Sequence, residues 1–155
     1  MMMKIFAALT LATPLLFASV VNAQSSVKNP QMQQLLQTGE CIKCNLAGVD
    51  LTGAHLIGAD LRGANLKGAN LSRANLEGAD LTGANLEGAN LTSAFVTNVN
   101  LKQADLDGVN FSHATIHNSN VYQASMKNLN IDEANIEETA IGVGGEEPIN
   151  VQDWD

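Results

Sequence analysis

The chain has 155 residues, enough for one domain, and its 16 acidic side chains outnumber its 8 lysines and arginines. Its isoelectric point is about 4.7. Since no basic stripe runs along the sequence, direct binding of nucleic acid is disfavoured.

Residues 1–23 have the layout of a secretory signal peptide. Lys4 gives a positive start, an apolar stretch of 17 residues follows, and Ala23 completes a small-residue cleavage site. A retained membrane anchor is the alternative, but the stretch is short for a span and contains threonine and proline. We expect cleavage between Ala23 and Gln24, and a mature chain with no membrane contact. Residues 24–28 are predicted to be a disordered leader.

A short helix is predicted within residues 29–43. Asn29 suits the N-cap, Pro30 the first helical position and Gly39 the exit. One face carries the apolar side chains Met32, Leu35 and Leu36. We expect this helix to cover the first edge of the structure that follows.

The two cysteines of the chain, Cys41 and Cys44, lie three residues apart. In an oxidising compartment such a pair is expected to form a disulfide. A thioredoxin-like redox pair would need a helix N-terminus that lowers a thiol pKa. A zinc site would need two further ligands. Neither feature is visible, but both interpretations remain alternatives.

From Leu46 to Ile141 every fifth residue is apolar, over twenty positions without a slip. Two residues before each of them lies a second set, thirteen of which are Ala. This period fits neither a helix nor a strand. Each unit instead has three alternating residues, with Ala inward, Asn or Asp outward and Leu inward, followed by a two-residue corner that often ends in Gly. The pattern predicts an all-β solenoid, and Cys41 and Cys44 fall on its inward positions.

The repeated unit, as in Ala64-Asn65-Leu66-Lys67-Gly68, resembles the pentapeptide-repeat family over residues 44–141. This resemblance implies a right-handed quadrilateral β-helix of about five coils, with about 20 residues per coil and a short N-terminal capping helix. The helix and the CxxC pair are also similar to exported members common in cyanobacteria, which implies the periplasm or the thylakoid lumen. The family has many unrelated roles, so the fold alone implies no activity.

On that architecture, outward residues stack in columns along the solenoid. One column brings Glu87 next to Asp107, which indicates a solvated charge pair or a cation contact. A lysine stands at each end of this column, Lys67 and Lys127. Phe95 is an outward aromatic residue, and it either contacts a partner or the tail or marks a local distortion of the coil. Another column is rich in hydroxyl groups and contains Thr52, Ser72, Thr92, Ser112 and Asp132.

No catalytic residue, metal ligand or cofactor site is predicted. His55, His113 and His117 have no spacing to Cys, Ser or carboxylate residues that indicates a triad or a metal cage, so they are interpreted as surface histidines. An interior filled by Ala and Leu leaves no room for a ligand. An exported enzyme is the alternative, and a deep polar pocket would reveal it.

The C-terminal end is strongly acidic. Half of the 16 acids lie at or after position 132, and no lysine or arginine follows Lys127. The repeat is predicted to end at Ile141, so that residues 142–155 form an acidic tail. Its apolar residues, Ile149, Val151 and Trp154, are suited to cover the last apolar ring.

A nearly neutral rod with one acidic end favours a non-enzymatic structural or protein-interaction module. The acids either keep this end from pairing with another molecule, as on an exposed sheet edge, or dock a basic protein partner. The predicted interaction surface comprises Phe95, Asp132, Glu133, Glu137, Glu138, Glu146, Glu147 and Trp154. A cation-binding module is less favoured because the tail lacks a regular calcium loop. A DNA-mimicking topoisomerase inhibitor, a role that some family members have, is disfavoured because the sides are not acidic enough and export removes the chain from the cytoplasm.

Overall fold

A computed structural model describes residues 29–139 of the chain. Its elements in chain order are helix α1 (Pro30–Thr38) and the strands β1 (Phe95–Thr97), β2 (Thr115–His117) and β3 (Asn135–Glu137). The predicted signal peptide, its cleavage site at Ala23, the leader and the tail 142–155 lie outside the described residues, as does Ile141.

Helix α1 begins and ends at the residues that the sequence predicts. The Asn29 side chain accepts hydrogen bonds from the backbone N–H groups of Gln31 and Met32, and a proline occupies the first turn. At the other end Gly39 has a φ of 74°, and its N–H donates to the Leu35 carbonyl. This left-handed residue satisfies a carbonyl that the helix leaves free.

The helix lies on the first units of the repeat. Leu35 is only 1% exposed and belongs to the hydrophobic core, and Met32 packs beside it. The Gln31 side chain accepts from the Asn45 N–H at 2.7 Å. Leu36 was expected on the same face, but it is 48% exposed. Consecutive helical residues point about 100° apart, and the angle at which α1 lies on the first units turns Leu35 inward and Leu36 toward solvent.

The repeat winds with a register of twenty residues. The outward residues of four successive units pair in parallel with residues twenty positions later: Asn45 with Asn65, Asp50 with Asn70, His55 with Asn75, and Asp60 with Asp80. The same register joins β1 to β2 and β2 to β3, as in Phe95↔Thr115 and Thr115↔Asn135. Four five-residue units therefore complete one circuit, and the coil has four sides.

Leucine and alanine side chains fill the interior. Leu61, Leu66, Leu71, Leu76, Leu81 and Leu86 are fully buried, as are Ala64, Ala69 and Ala74. Among residues 29–139 no buried side-chain nitrogen or oxygen lacks a hydrogen-bond partner. The predicted inward and outward assignment is thus correct along the middle of the repeat.

At every corner, the residue at the same position of the unit has a left-handed backbone conformation. From Lys43 to Glu138 each fifth residue has a positive φ, and these twenty positions comprise nine glycines and eleven other residues. Most corners close with a backbone hydrogen bond such as Ala54 N–H to Leu51 O at 3.0 Å, as a type II turn does. Glycine fits this conformation best, yet Arg73 and His113 adopt it with a φ of 58°. The stacked neighbours therefore impose the corner even on residues that disfavour it.

The outward asparagines and aspartates have a local structural role. In fourteen units the side-chain Oδ1 accepts the backbone N–H two residues later, as Asn90 does from Thr92 at 3.0 Å. This Asx-type bond stabilises the entry to the corner. It explains why the unit prefers Asn or Asp, whose short side chains can reach that N–H group.

The corner after Phe95 departs from this rule. Phe95 provides no Asx bond, and the segment lengthens into β1. Val99 N–H donates to the Ser119 hydroxyl at 3.2 Å instead of closing the usual turn. The Ser119 N–H in turn reaches the Thr139 hydroxyl at 3.5 Å. The same side lengthens into β2 and β3 in the next two coils, so the change begins at Phe95 and continues to the last described coil. The Phe95 ring itself is 51% exposed.

Candidate interaction surfaces

The acidic end of the described chain carries four exposed carboxylates on its last units, Asp132, Glu133, Glu137 and Glu138. A Glu133 oxygen lies 3.0 Å from His113 Nδ1, and a Glu138 oxygen lies 3.4 Å from His117 Nε2. Within residues 29–139 these are the only close contacts of the four acids with a basic side chain. The remaining members of the predicted surface, Glu146, Glu147 and Trp154, lie outside the described residues.

One side of the coil, named here the phenylalanine side, carries two large exposed apolar side chains. Its central column runs from His55 through Phe95 to Asn135. The ring of Phe95 is exposed on it, and Ile57 is 60% exposed. His113 and His117 stand at the two ends of this side in the same coil as β2, so all three histidines lie on it. No group of three or more His, Cys, Asp or Glu that could hold a metal ion occurs in residues 29–139.

Two lysines neutralise the adjacent acids Glu87 and Asp107. Lys67 Nζ lies 2.6 Å from Glu87 Oε2, and Lys127 Nζ lies 3.6 Å from Asp107 Oδ2. Because each carboxylate already has its own lysine, the geometry favours charge pairs over a cation contact. Arg62 likewise lies 2.6 Å from Asp60. Basic neighbours therefore interrupt the negative charge of the sides at these three acids.

Hydrogen bonds lower the pKa of several aspartates. The Ser125 hydroxyl, the Lys127 N–H and the Lys127 charge hold the pKa of Asp107 below the ordinary carboxyl range. The side chain of Arg62 does the same for Asp60, and that of Thr52 for Asp50. Each of these groups favours the charged form of the carboxyl.

We expect Asp107→Asn to weaken the stack near Ser125 at neutral pH, because it removes the charge that these donors favour. A lowered folded pKa stabilises the fold above the ordinary carboxyl range and loses that contribution as the pH falls through the folded value. The stability difference from the unmodified chain should therefore shrink below about pH 4. Urea unfolding at several pH values measures it, with Glu137→Gln as the control. A difference that grows on acidification would contradict the assignment.

Cys41 and Cys44 are joined by a disulfide in the structure, with Cα atoms 5.2 Å apart. Cys41 is 0% exposed and Cys44 is 5% exposed, and both belong to the hydrophobic core. Because the two sulfurs are bonded to each other, neither is available as a zinc ligand. Their burial beside Leu35 suits a structural bond better than an exchanging redox pair.

The described part of the chain has an apolar opening. It has a volume of about 40 Å³ at the C-terminal end of the core, and its lining is hydrophobic side chains with Thr139.

Among residues 29–139 no helix has the length and apolar character needed to cross a membrane.

Three residues with unusual surroundings were not singled out from the sequence. Ile57 shares its column with Glu77 and His117, and Tyr122 lies with its ring 5.8 Å from the Lys102 ammonium. The signal for both was available, because each is a large side chain at a position of the unit that is polar in the neighbouring coils. Ser119 is the third, since its hydroxyl is buried where most units have Ala.

Together these features define a four-sided β-solenoid built from five-residue units. The family model described as pentapeptide repeats matches eight copies over residues 44–83, 69–108, 84–121 and 104–139. The chain therefore belongs to the pentapeptide-repeat family, whose solved members form right-handed quadrilateral β-helices. No curated protein shows a significant match to the sequence.

Solved structures of the same family resemble this chain. A pentapeptide repeat protein (Rfr23) from the cyanobacterium Cyanothece 51142 has 26% identity and a TM-score of 0.60, with 71% of this chain and 92% of that chain covered. One from the Arabidopsis thaliana thylakoid lumen has 28% identity and a TM-score of 0.45, with 77% and 74% covered. QnrB1, a plasmid-mediated fluoroquinolone resistance protein, has 17% identity and a TM-score of 0.49, with 64% and 62% covered.

Proposed function

We propose that this protein is a non-enzymatic structural or protein-interaction module that works outside the cytoplasm, in the periplasm or the thylakoid lumen. The observation that carries the proposal is the filled interior. Leucines such as Leu66 and Leu76 are fully buried along the axis, so packed side chains occupy the interior of these coils where a substrate would otherwise bind. Binding of a partner therefore takes place on the outer sides of the coil or at its ends.

The rigidity of these sides supports a docking role. Neighbouring coils are joined by backbone bonds on all four sides, for example Asn65 N–H to Cys44 O at 2.8 Å and Leu46 N–H to Asn65 O at 2.7 Å. We assign about five coils to the repeat, with α1 as the cap of its N-terminal end. A surface held in this way loses little conformational entropy when it binds.

The proposal of export rests on residues 1–23 and on the buried disulfide. A disulfide persists in oxidising compartments and is rare in the cytosol. The intact mass of the chain purified from its source cells tests this assignment. A chain that begins at Gln24 with bonded cysteines is expected, and a retained N-terminal segment would contradict it.

We propose that the partner is a protein with a basic surface and that it binds at the acidic end. The four exposed acids on the last described units contact only two histidines among residues 29–139, so their field extends into solvent. A basic protein would be attracted by this charge, and the association would weaken as salt screens it. The exposed ring of Phe95 is the second candidate contact.

A pair of charge-matched variants tests this assignment. The chain from Gln24 onward is immobilised and exposed to an extract of the exported compartment, and bound proteins are identified by mass spectrometry. Glu133→Gln with Glu137→Gln removes two of the four charges on the last described units, whereas Glu40→Gln with Glu77→Gln removes the same charge elsewhere. We expect a basic protein to be retained by the second variant and by the unmodified chain, and to be lost from the first. Equal retention by both variants would overturn the docking assignment.

A further inference from the structure

The C-terminal end of the described core is open. Side chains in the middle of the coil, such as Leu86, are fully buried, and Ile116 is still 7% exposed. Met126, Ile131 and Ile136 are only partly buried. A cavity of about 40 Å³ opens among these side chains. Its lining consists of Leu101, Leu106, Phe111, Ile116, Val121, Met126, Leu129, Ile131, Ile136 and Thr139, and we name this opening the C-terminal mouth.

The opposite end of the same core is covered by the chain itself. Leu46, the first leucine of the repeat, is 0% exposed because Leu35 of α1 packs against the core there. The apolar core is therefore covered by α1 at the N-terminal end of the described chain, whereas it is open to solvent at the C-terminal end. An open apolar end of a solenoid is a site for association, so it needs an occupant.

We propose that residues 146–155 of the same chain occupy the C-terminal mouth, with Ile149, Val151 and Trp154 against its apolar lining. These are the large apolar residues of that segment, and they fall within six positions of one another. The acids Glu146 and Glu147 precede them and remain in solvent. This assigns Trp154 to the end of the core rather than to the surface offered to a partner.

The length of the segment suits this placement. Ile149 lies ten positions after Thr139, which is at the mouth, and an extended chain over ten positions spans at most about 35 Å. Two of the five residues in each unit form a corner, so one side of the coil is shorter than the roughly 17 Å of five extended residues, and the segment can turn back and reach the centre of the mouth. Gly142, Gly144 and Gly145 allow the reversal. Pro148 lacks the N–H that another stacked strand would require.

Charge argues against a second copy as the occupant. The last described units carry Asp132, Glu133, Glu137 and Glu138, and no lysine or arginine follows Lys127. Two copies joined mouth to mouth would bring two such acidic ends together, which disfavours the contact. The chain's own segment acts at the high effective concentration of a short tether and loses no translational freedom on docking.

Trp154 is the single tryptophan of the chain, so its fluorescence reports on the proposed contact. Acrylamide quenching is measured on the chain from Gln24 to Asp155, folded and in urea. We expect quenching to be several-fold weaker in the folded protein and unchanged on serial dilution. Ile136→Gln should restore strong quenching by making the mouth polar, whereas Ile57→Gln makes the same type of change on an exposed side and should have no effect.

A variant in the segment separates loss of docking from loss of folding. Val151→Asp leaves the described coil untouched and should also restore strong quenching, with an unchanged circular dichroism spectrum. Trp154 that is quenched equally in the folded and the unfolded chain would overturn the proposal. Protection that disappears on dilution would overturn it too, since a second copy would then be the occupant. Both results leave the proposed docking function intact, because that function is tested by the Glu133 and Glu137 variants.

Discussion

Leu76→Ala is expected to lower the free energy of unfolding by about 2–5 kcal/mol, the usual cost of a buried leucine with a residual cavity. Leu76 is 0% exposed, between coils that are themselves fully packed. The backbone bonds between coils hold the neighbouring side chains in place, so the site cannot collapse around the missing atoms. This places Leu76→Ala toward the costly end of the range.

Urea unfolding followed by circular dichroism measures this effect, and the chain provides a matched control. Leu36→Ala removes the same atoms from a side chain that is 48% exposed on α1. It should change the midpoint little, since surface substitutions away from special features stay within about 0.5 kcal/mol. If the two variants lost the same stability, the inward assignment of Leu76 would be wrong.

Ser119→Ala is expected to cost about 1–3 kcal/mol, although Ala is the commonest residue at this position of the unit. Ser119 is 3% exposed, and its hydroxyl accepts from the Val99 N–H at 3.2 Å and donates to the Val96 carbonyl at 2.6 Å. Alanine would leave both backbone groups without this partner in a buried corner. An unmade hydrogen bond in such a place costs more than the bond contributes when it forms.

Ser72→Ala serves as the control for this prediction. The Ser72 hydroxyl lies at the surface, 3.4 Å from the Thr52 hydroxyl, where water can replace it. Thermal unfolding of both variants and of the unmodified chain measures the difference. A Ser119→Ala chain as stable as the Ser72→Ala chain would mean that the corner closes in the ordinary way without the hydroxyl.

The winding of the chain as a solenoid was predictable because the inward and outward pattern lies within each unit, whereas its four sides were expected only from the resemblance to the family. Ala74, Asn75 and Leu76 alternate inward, outward and inward with no reference to distant sequence. The start of α1 was predictable for the same reason, since the Asn29 cap bonds to N–H groups two and three residues away. Both cysteines also fall on inward positions, which places the disulfide in the core.

Features that depend on the next coil were harder to predict. The corner at Val99 is closed by the hydroxyl of Ser119, twenty residues later, so no residue of its own unit predicts this closure. The column of Glu87 and Asp107 was visible from the sequence, but the lysine conformations that neutralise each acid were not. The failure at Leu36 is similar, because the entry angle of α1 onto the first units decides which leucine becomes buried.

The register of twenty residues limits how the chain can change its length. Inserting one residue would place every later leucine out of phase with its column, whereas inserting five preserves the phase and rotates all that follows by a quarter turn. Inserting twenty adds a coil with no rotation. Duplicating a single unit between Phe95 and Glu133 would therefore re-aim the acidic end relative to the phenylalanine side while leaving both surfaces intact. The angle between two such surfaces is thus set by the number of units between them, and it changes in steps of ninety degrees when units are gained or lost.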